Sequence, residues 1–122
     1  MDIKSLIPKD KFDLETVEKL KQHSFEDIEP IVLDLLEWLQ DMNWPVSQHI
    51  AALLLPYSEK IAHEIIQILK GKDEMWKYWI LVTFGKIIKN KLAVHEINRI
   101  AKNPTQDEIY HELNTIANEI IQ

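Results

Sequence analysis

Asn43, Asp73 and Thr105 stand about thirty residues apart, and each opens a run of apolar residues at helical spacing. Asn43 leads into Val46, Ile50, Leu53 and Leu54. Asp73 leads into Trp76, Ile80, Phe84 and Ile87, and Thr105 into Ile109, Leu113, Ile116 and Ile120. Short polar side chains at such positions accept hydrogen bonds from the N–H groups that a helix leaves free in its first turn. Apolar residues three and four apart then share one helix face. Matching stripes precede the first two starts: Leu35, Leu36 and Leu39 before Asn43, and Ile65, Ile66 and Leu69 before Asp73, both offset by 30. From Asp73 to Thr105 the offset is 32, and from Ile80 to Leu113 it is 33. A chain punctuated in this way is predicted to fold as successive helical hairpins, each leaning on the next.

Residues 1–23 read as a lead-in, in which Pro8 disfavours helix, followed by a short helix capped by Asp13 and carrying Leu14, Val17 and Leu20. The hairpins are predicted over roughly 25–56, 58–89 and 92–121. In the first, Ser24 caps, Pro30 must kink or restart the helix because its ring removes a donor, and Asn43 caps the return helix with Pro45 in its first turn. In the second, Ser58 caps, Gly71 follows the helix end, and Asp73 caps a long, nearly all-apolar helix reaching Ile88. That helix is predicted to be central, and Gly85 reads as a close crossing. In the third, Asn103-Pro104 stops one helix and Thr105 to Glu108 forms a capping box for the next. The predicted fold class is all-α, a right-handed α-α superhelix of about three such hairpins behind a short N-terminal helix, in one domain over residues 1–122.

Composition narrows the function as well as the fold. Gly71 and Gly85 are the only glycines, too few for the tight turns of an all-β domain. The absence of cysteine excludes disulfides, zinc–thiolate sites and cysteine nucleophiles. The N-terminus has no signal-peptide core, and no apolar run approaches the roughly 20 residues of a membrane span. A cytoplasmic protein without a membrane partner is expected. A net charge of −6 argues against nucleic acid as a partner. The charge is uneven. Residues 70–102 are basic, whereas Asp107, Glu108, Glu112 and Glu119 leave the C-terminal stretch acidic.

The Asp-x-Asn-Trp-x-Val turn at Asp41 to Val46, with an Ala-Ala-Leu helix behind it, resembles a HEAT repeat. The stretches Leu6 to Asp13, Leu36 to Val46, Trp76-Lys77-Tyr78-Trp79 and Ile100 to Thr105 extend the likeness over nearly the whole chain. Together they resemble a family of small, mostly bacterial, HEAT-like proteins catalogued only as a domain of unknown function. That resemblance implies a fold and carries no activity or catalytic residues.

Motifs for chemistry fail one by one. His63-Glu64, His95-Glu96 and His111-Glu112 each lack the second histidine four residues after the first that a zincin helix needs, since Gln67, Arg99 and Thr115 stand there. Asp107 and His111 share a helix face but have no third ligand. Neither glycine belongs to a phosphate loop, and no serine sits in a nucleophile elbow. No metal, no cofactor and no catalysis are expected.

The aromatic residues carry the remaining signal. Trp38, Trp76 and Trp79 fall on core stripes, where a large ring with one donor packs well. Trp44 and Tyr78 fall off them. Aligning the second helices of the hairpins puts the off-stripe positions in three rows: Trp44, Glu74 and Asp107; Ser47, Lys77 and Tyr110; Gln48, Tyr78 and His111. Aromatic, charged and amide groups mixed in this way are common at interfaces. The expected function is a protein-interaction module, for instance an immunity or inhibitor protein, that takes a protein or peptide on this face. The alternative is a small ligand or peptide terminus held in an aromatic pocket near Trp44 and Tyr78. A broad mixed-charge groove favours the first, and an uncharged closed pocket the second.

Overall fold

The computed structural model describes residues 2–122, and these form helices and turns with no strand among them. Met1, the first residue of the predicted lead-in, lies outside the described residues. The chain gathers into two compact units, Met1–Tyr57 and Ser58–Gln122.

The first unit begins with a 3-10 turn, Ile3–Leu6, and helix α1, Leu14–Leu20. Asp13 caps α1 as expected. Its carboxylate accepts from the Thr16 N–H at 3.1 Å, the Thr16 hydroxyl at 2.7 Å and the Lys9 N–H at 2.9 Å. The Lys9 N–H and then the Thr16 hydroxyl lower its pKa, with burial opposing them. Residues 25–40 then run as four short pieces: α2, Phe25–Ile28; a 3-10 turn, Glu29–Ile31; α3, Val32–Leu36; and a second 3-10 turn, Glu37–Gln40. Pro30 lies in the first of these turns, where the helix restarts. The stripe survives the break, for Phe25, Ile28, Ile31, Val32, Leu35, Leu36 and Leu39 are all buried.

Helix α4, Pro45–Leu54, starts one residue later than predicted. Trp44, not Asn43, occupies the cap and makes no side-chain cap bond. The Asn43 N–H instead donates to Asp41 Oδ1 at 2.9 Å, so the polar run folds on itself as an Asx turn. Proline at the first helical position supplies the pre-set φ that starts the helix. The Ser47 hydroxyl, fully buried, donates to the carbonyls of Trp38 and Asp41 and ties α4 to the end of the preceding stretch. Val46, Ile50, Ala51 and Leu54 complete the core where α4 meets α1 and α3.

In the second unit Ser58 is buried and caps nothing. Helix α5, Ala62–Leu69, begins after Ile61 without a side-chain cap. Asp73 does cap α6, Glu74–Phe84, accepting from the Trp76 N–H at 3.0 Å. This helix is shorter than predicted and is not sheathed all round, since Met75 and Val82 are about half exposed. Asn90 caps α7, Lys91–Lys102, through the N–H groups of Leu92 and Ala93. The capping box of Thr105 and Glu108 forms as read and starts α8, Gln106–Tyr110. The last stripe is not one helix. Glu112, at φ 60° in the left-handed region, separates α8 from α9, Leu113–Ile121. Packing follows a ring: α5 meets α6 and α7, and α9 meets α7 and α6. Among the described residues no helix is long and apolar enough to cross a membrane.

Candidate functional site

In the second unit, α6, α7 and α8 turn charged side chains into one pocket of about 460 Å³. Lys70, Gly71 and Lys72 of the link before α6 form part of its wall, and Thr105 and Asp107 another part. Its floor is a set of ion pairs that joins α6, α7 and α8. Glu108 is fully buried, and both its oxygens are saturated. Oε1 accepts from Arg99 Nη1 and from the Thr105 N–H, each at 2.8 Å. Oε2 accepts from Arg99 Nη2 at 2.7 Å and Lys77 Nζ at 3.0 Å. Arg99 Nε also donates to Glu96 Oε1 at 2.7 Å, and Lys77 Nζ pairs with Glu74 Oε1 at 3.1 Å. A buried carboxylate is tolerable only when paired and hydrogen-bonded in this way.

Glu74 is the exception in this set. Its side chain is only 9% exposed, yet Oε2 has no hydrogen-bond partner. Buried polar atoms without partners are few in folded proteins, and each leaves a desolvated group uncompensated. Glu74 is one of the residues that line the pocket. The five inner groups, Glu74, Glu96 and Glu108 against Lys77 and Arg99, leave one negative charge in excess.

Burial opposes the charged form of Glu108, but Arg99 first, then the Thr105 N–H and Lys77, outweigh it and hold its pKa at about 2 against an ordinary 4.5. Bonding to Glu108 raises Arg99 in turn. A carboxyl depressed in the folded state binds fewer protons there than in the unfolded chain, so its stabilisation is complete above pH 4.5 and fades as pH falls towards 2. The urea midpoint of the protein is therefore expected to drop steadily over that window, and Glu108→Gln to flatten the drop. An unchanged slope in the variant means that Glu108 is not held ionised.

Residues 6–121 match the family described as Domain of unknown function (DUF5071). The chain belongs to this family. No curated protein matches it.

Within this DUF5071 domain the predicted site residues separate. Glu74 and Asp107 line the charged pocket together, with Asp107 exposed. Lys77 lines it too but is 3% exposed, so it is an internal cation and not a surface contact. The row of Ser47, Lys77 and Tyr110 is corrected accordingly: its first two members are buried and Tyr110 alone is exposed. Polarity misled the reading, because a lysine or serine in core phase stays inside when ion pairs or carbonyls satisfy it. Tyr110 and His111 are exposed and touch edge-to-face at 5.2 Å. Tyr78 is half-buried and packs edge-on against Trp79 at 4.8 Å. Gln48 is exposed on α4, and Trp44 is half-buried against Trp38. Asp107 and His111 recruit no third ligand, and the described residues hold no group of three or more metal-binding side chains.

Arg99, Glu96 and Glu108 were missed as site residues. Glu108 was read only as half of a capping box, a role it does fill while also closing the ion pairs. The spacing of Glu96 and Arg99, three apart on α7, was the available signal.

Proposed function

We propose that the domain is a non-catalytic protein-interaction module, built as a short superhelix of HEAT-like hairpins, and that it receives its partner at the charged pocket of the second unit. One observation carries the reading: an open pocket of mixed charge lined by Glu74, whose buried Oε2 has no partner. Lys70, Lys72 and Asp107 offer charges around the pocket, and a partner donor that turns the Glu74 carboxylate towards it supplies the missing bond. The mixture of signs favours a protein surface over an apolar small molecule, whose sites are mostly hydrophobic. The ring of α5, α6, α7 and α9, in which helices from 58–89 meet helices from 92–121, is compatible with stacked hairpins. The cysteine-free, acidic composition suits a partner met in the cytoplasm.

Capture from the native extract identifies the partner, and the purified pair then gives the test. Lys72→Glu and Asp107→Lys change only exposed charge and are expected to weaken binding at least about tenfold, or about 1.4 kcal/mol, with the melting temperature unchanged. Undiminished binding by both variants rules the pocket out as the contact surface.

A further inference from the structure

The first unit carries a separate groove of about 250 Å³, whose walls include Trp38, Trp44, Asp34, Glu37 and Pro8. The two indoles meet edge-to-face, with ring centroids 5.5 Å apart and planes at 74°. That arrangement needs support from the backbone, and it has it: Ser47 bonds the Trp38 carbonyl, and Pro45 fixes the chain directly after Trp44. Asp34 of α3 and Glu37 at the start of the following 3-10 turn sit three apart in sequence, both are exposed, and among the described residues neither side chain has a hydrogen bond or ion pair. None of the residues lining the groove is basic. So two electron-rich rings and two exposed carboxylates line a groove whose wall holds no basic residue.

We infer that this groove binds an organic cation, the guanidinium or ammonium end of an arginine or lysine side chain presented by a protein partner. Tryptophan has the most favourable ring face for a cation, and a nearby carboxylate adds a charge-assisted hydrogen bond. Arginine suits the site well, since its planar head stacks on a ring while its edge bonds a carboxylate. The neutral wall of Pro8 and Ile7 packs the methylene stem. The groove lies wholly in the first unit, and nothing in this inference rests on Glu74 or the charged pocket of the second, so either site can fail alone.

The test follows the indole N–H signals of Trp38 and Trp44 by NMR while N-acetyl-arginine methylamide is added. Saturable shifts of these two signals are expected. The neutral citrulline analogue, which has the same shape without the charge, is expected to give none. Asp34→Asn combined with Glu37→Gln, checked for an unchanged melting temperature, should weaken the arginine response by about tenfold. Added salt should weaken it too, because the carboxylates are exposed. Equal shifts with the citrulline analogue overturn the inference, as does an undiminished response in the double variant or the absence of any saturable shift.

Discussion

Glu108→Ala is expected to lower the melting temperature by more than about 10 °C, equivalent to a loss of about 3–5 kcal/mol. The size follows from what the carboxylate leaves behind. Its four hydrogen bonds come from Arg99, Lys77 and the Thr105 N–H, and Lys77 is itself buried. Alanine takes this partner from the buried Lys77 and from the largely covered Arg99, and it removes half of the capping box that starts α8. Deleting one member of a buried ionic set costs more than the set contributes in total, because the partners stay charged and desolvated. Tyr110→Ala, two residues on and 80% exposed, should change stability by less than about 0.5 kcal/mol. Thermal or urea unfolding of the two variants decides the matter, and a loss below about 1 kcal/mol for Glu108→Ala contradicts the account.

Gly85→Ala is the second large effect, expected to cost about 2 kcal/mol. A methyl group there would stand 2.4 Å from Ile120 Cδ1 and 2.5 Å from the Leu81 carbonyl oxygen. The isoleucine tip can swing aside. The carbonyl cannot, since it accepts the Gly85 N–H at 2.9 Å in the last turn of α6. Combining Gly85→Ala with Ile120→Ala should therefore not restore stability. Gly71→Ala gives the contrast. Its backbone is not left-handed, and the nearest atom would be the Ile68 carbonyl oxygen at 3.2 Å. A change of less than about 1 kcal/mol is expected there. Equal losses at the two glycines would refute the crossing at Gly85.

How far the sequence reveals this architecture depends on the kind of signal. Caps that act on their own first turn were readable, as Asp13, Ser24, Asp73 and Thr105 show. Buried stripes were readable for the most part, because burial follows period and period is local, but Leu14, Ile87, Leu92 and Ile109, read on the same stripes, are exposed. Boundaries set by backbone geometry were not. Nothing in the composition of Glu112 announces a left-handed residue, yet it splits α8 from α9. That break also accounts for the offsets of 33 by core and 32 by cap in the predicted third hairpin. The charged pocket was half legible: Glu74, Lys77 and Asp107 were named, and Glu96, Arg99 and Glu108 were not. The link between Lys77 and Glu108 spans 31 residues, and a pairing at that distance leaves no trace in either helix alone.

The stretch from Phe25 to Gln40 has a further consequence. No piece of it exceeds five residues, well below the length at which a helix holds together in water. Its order is therefore borrowed from its neighbours, and it opens as a cooperative unit or not at all. Asp34, Glu37 and Trp38 all ride on it, so this side of the tryptophan groove assembles and disperses in one event. Occupancy of the groove and folding of this stretch are thus thermodynamically linked, and whatever fills the one steadies the other.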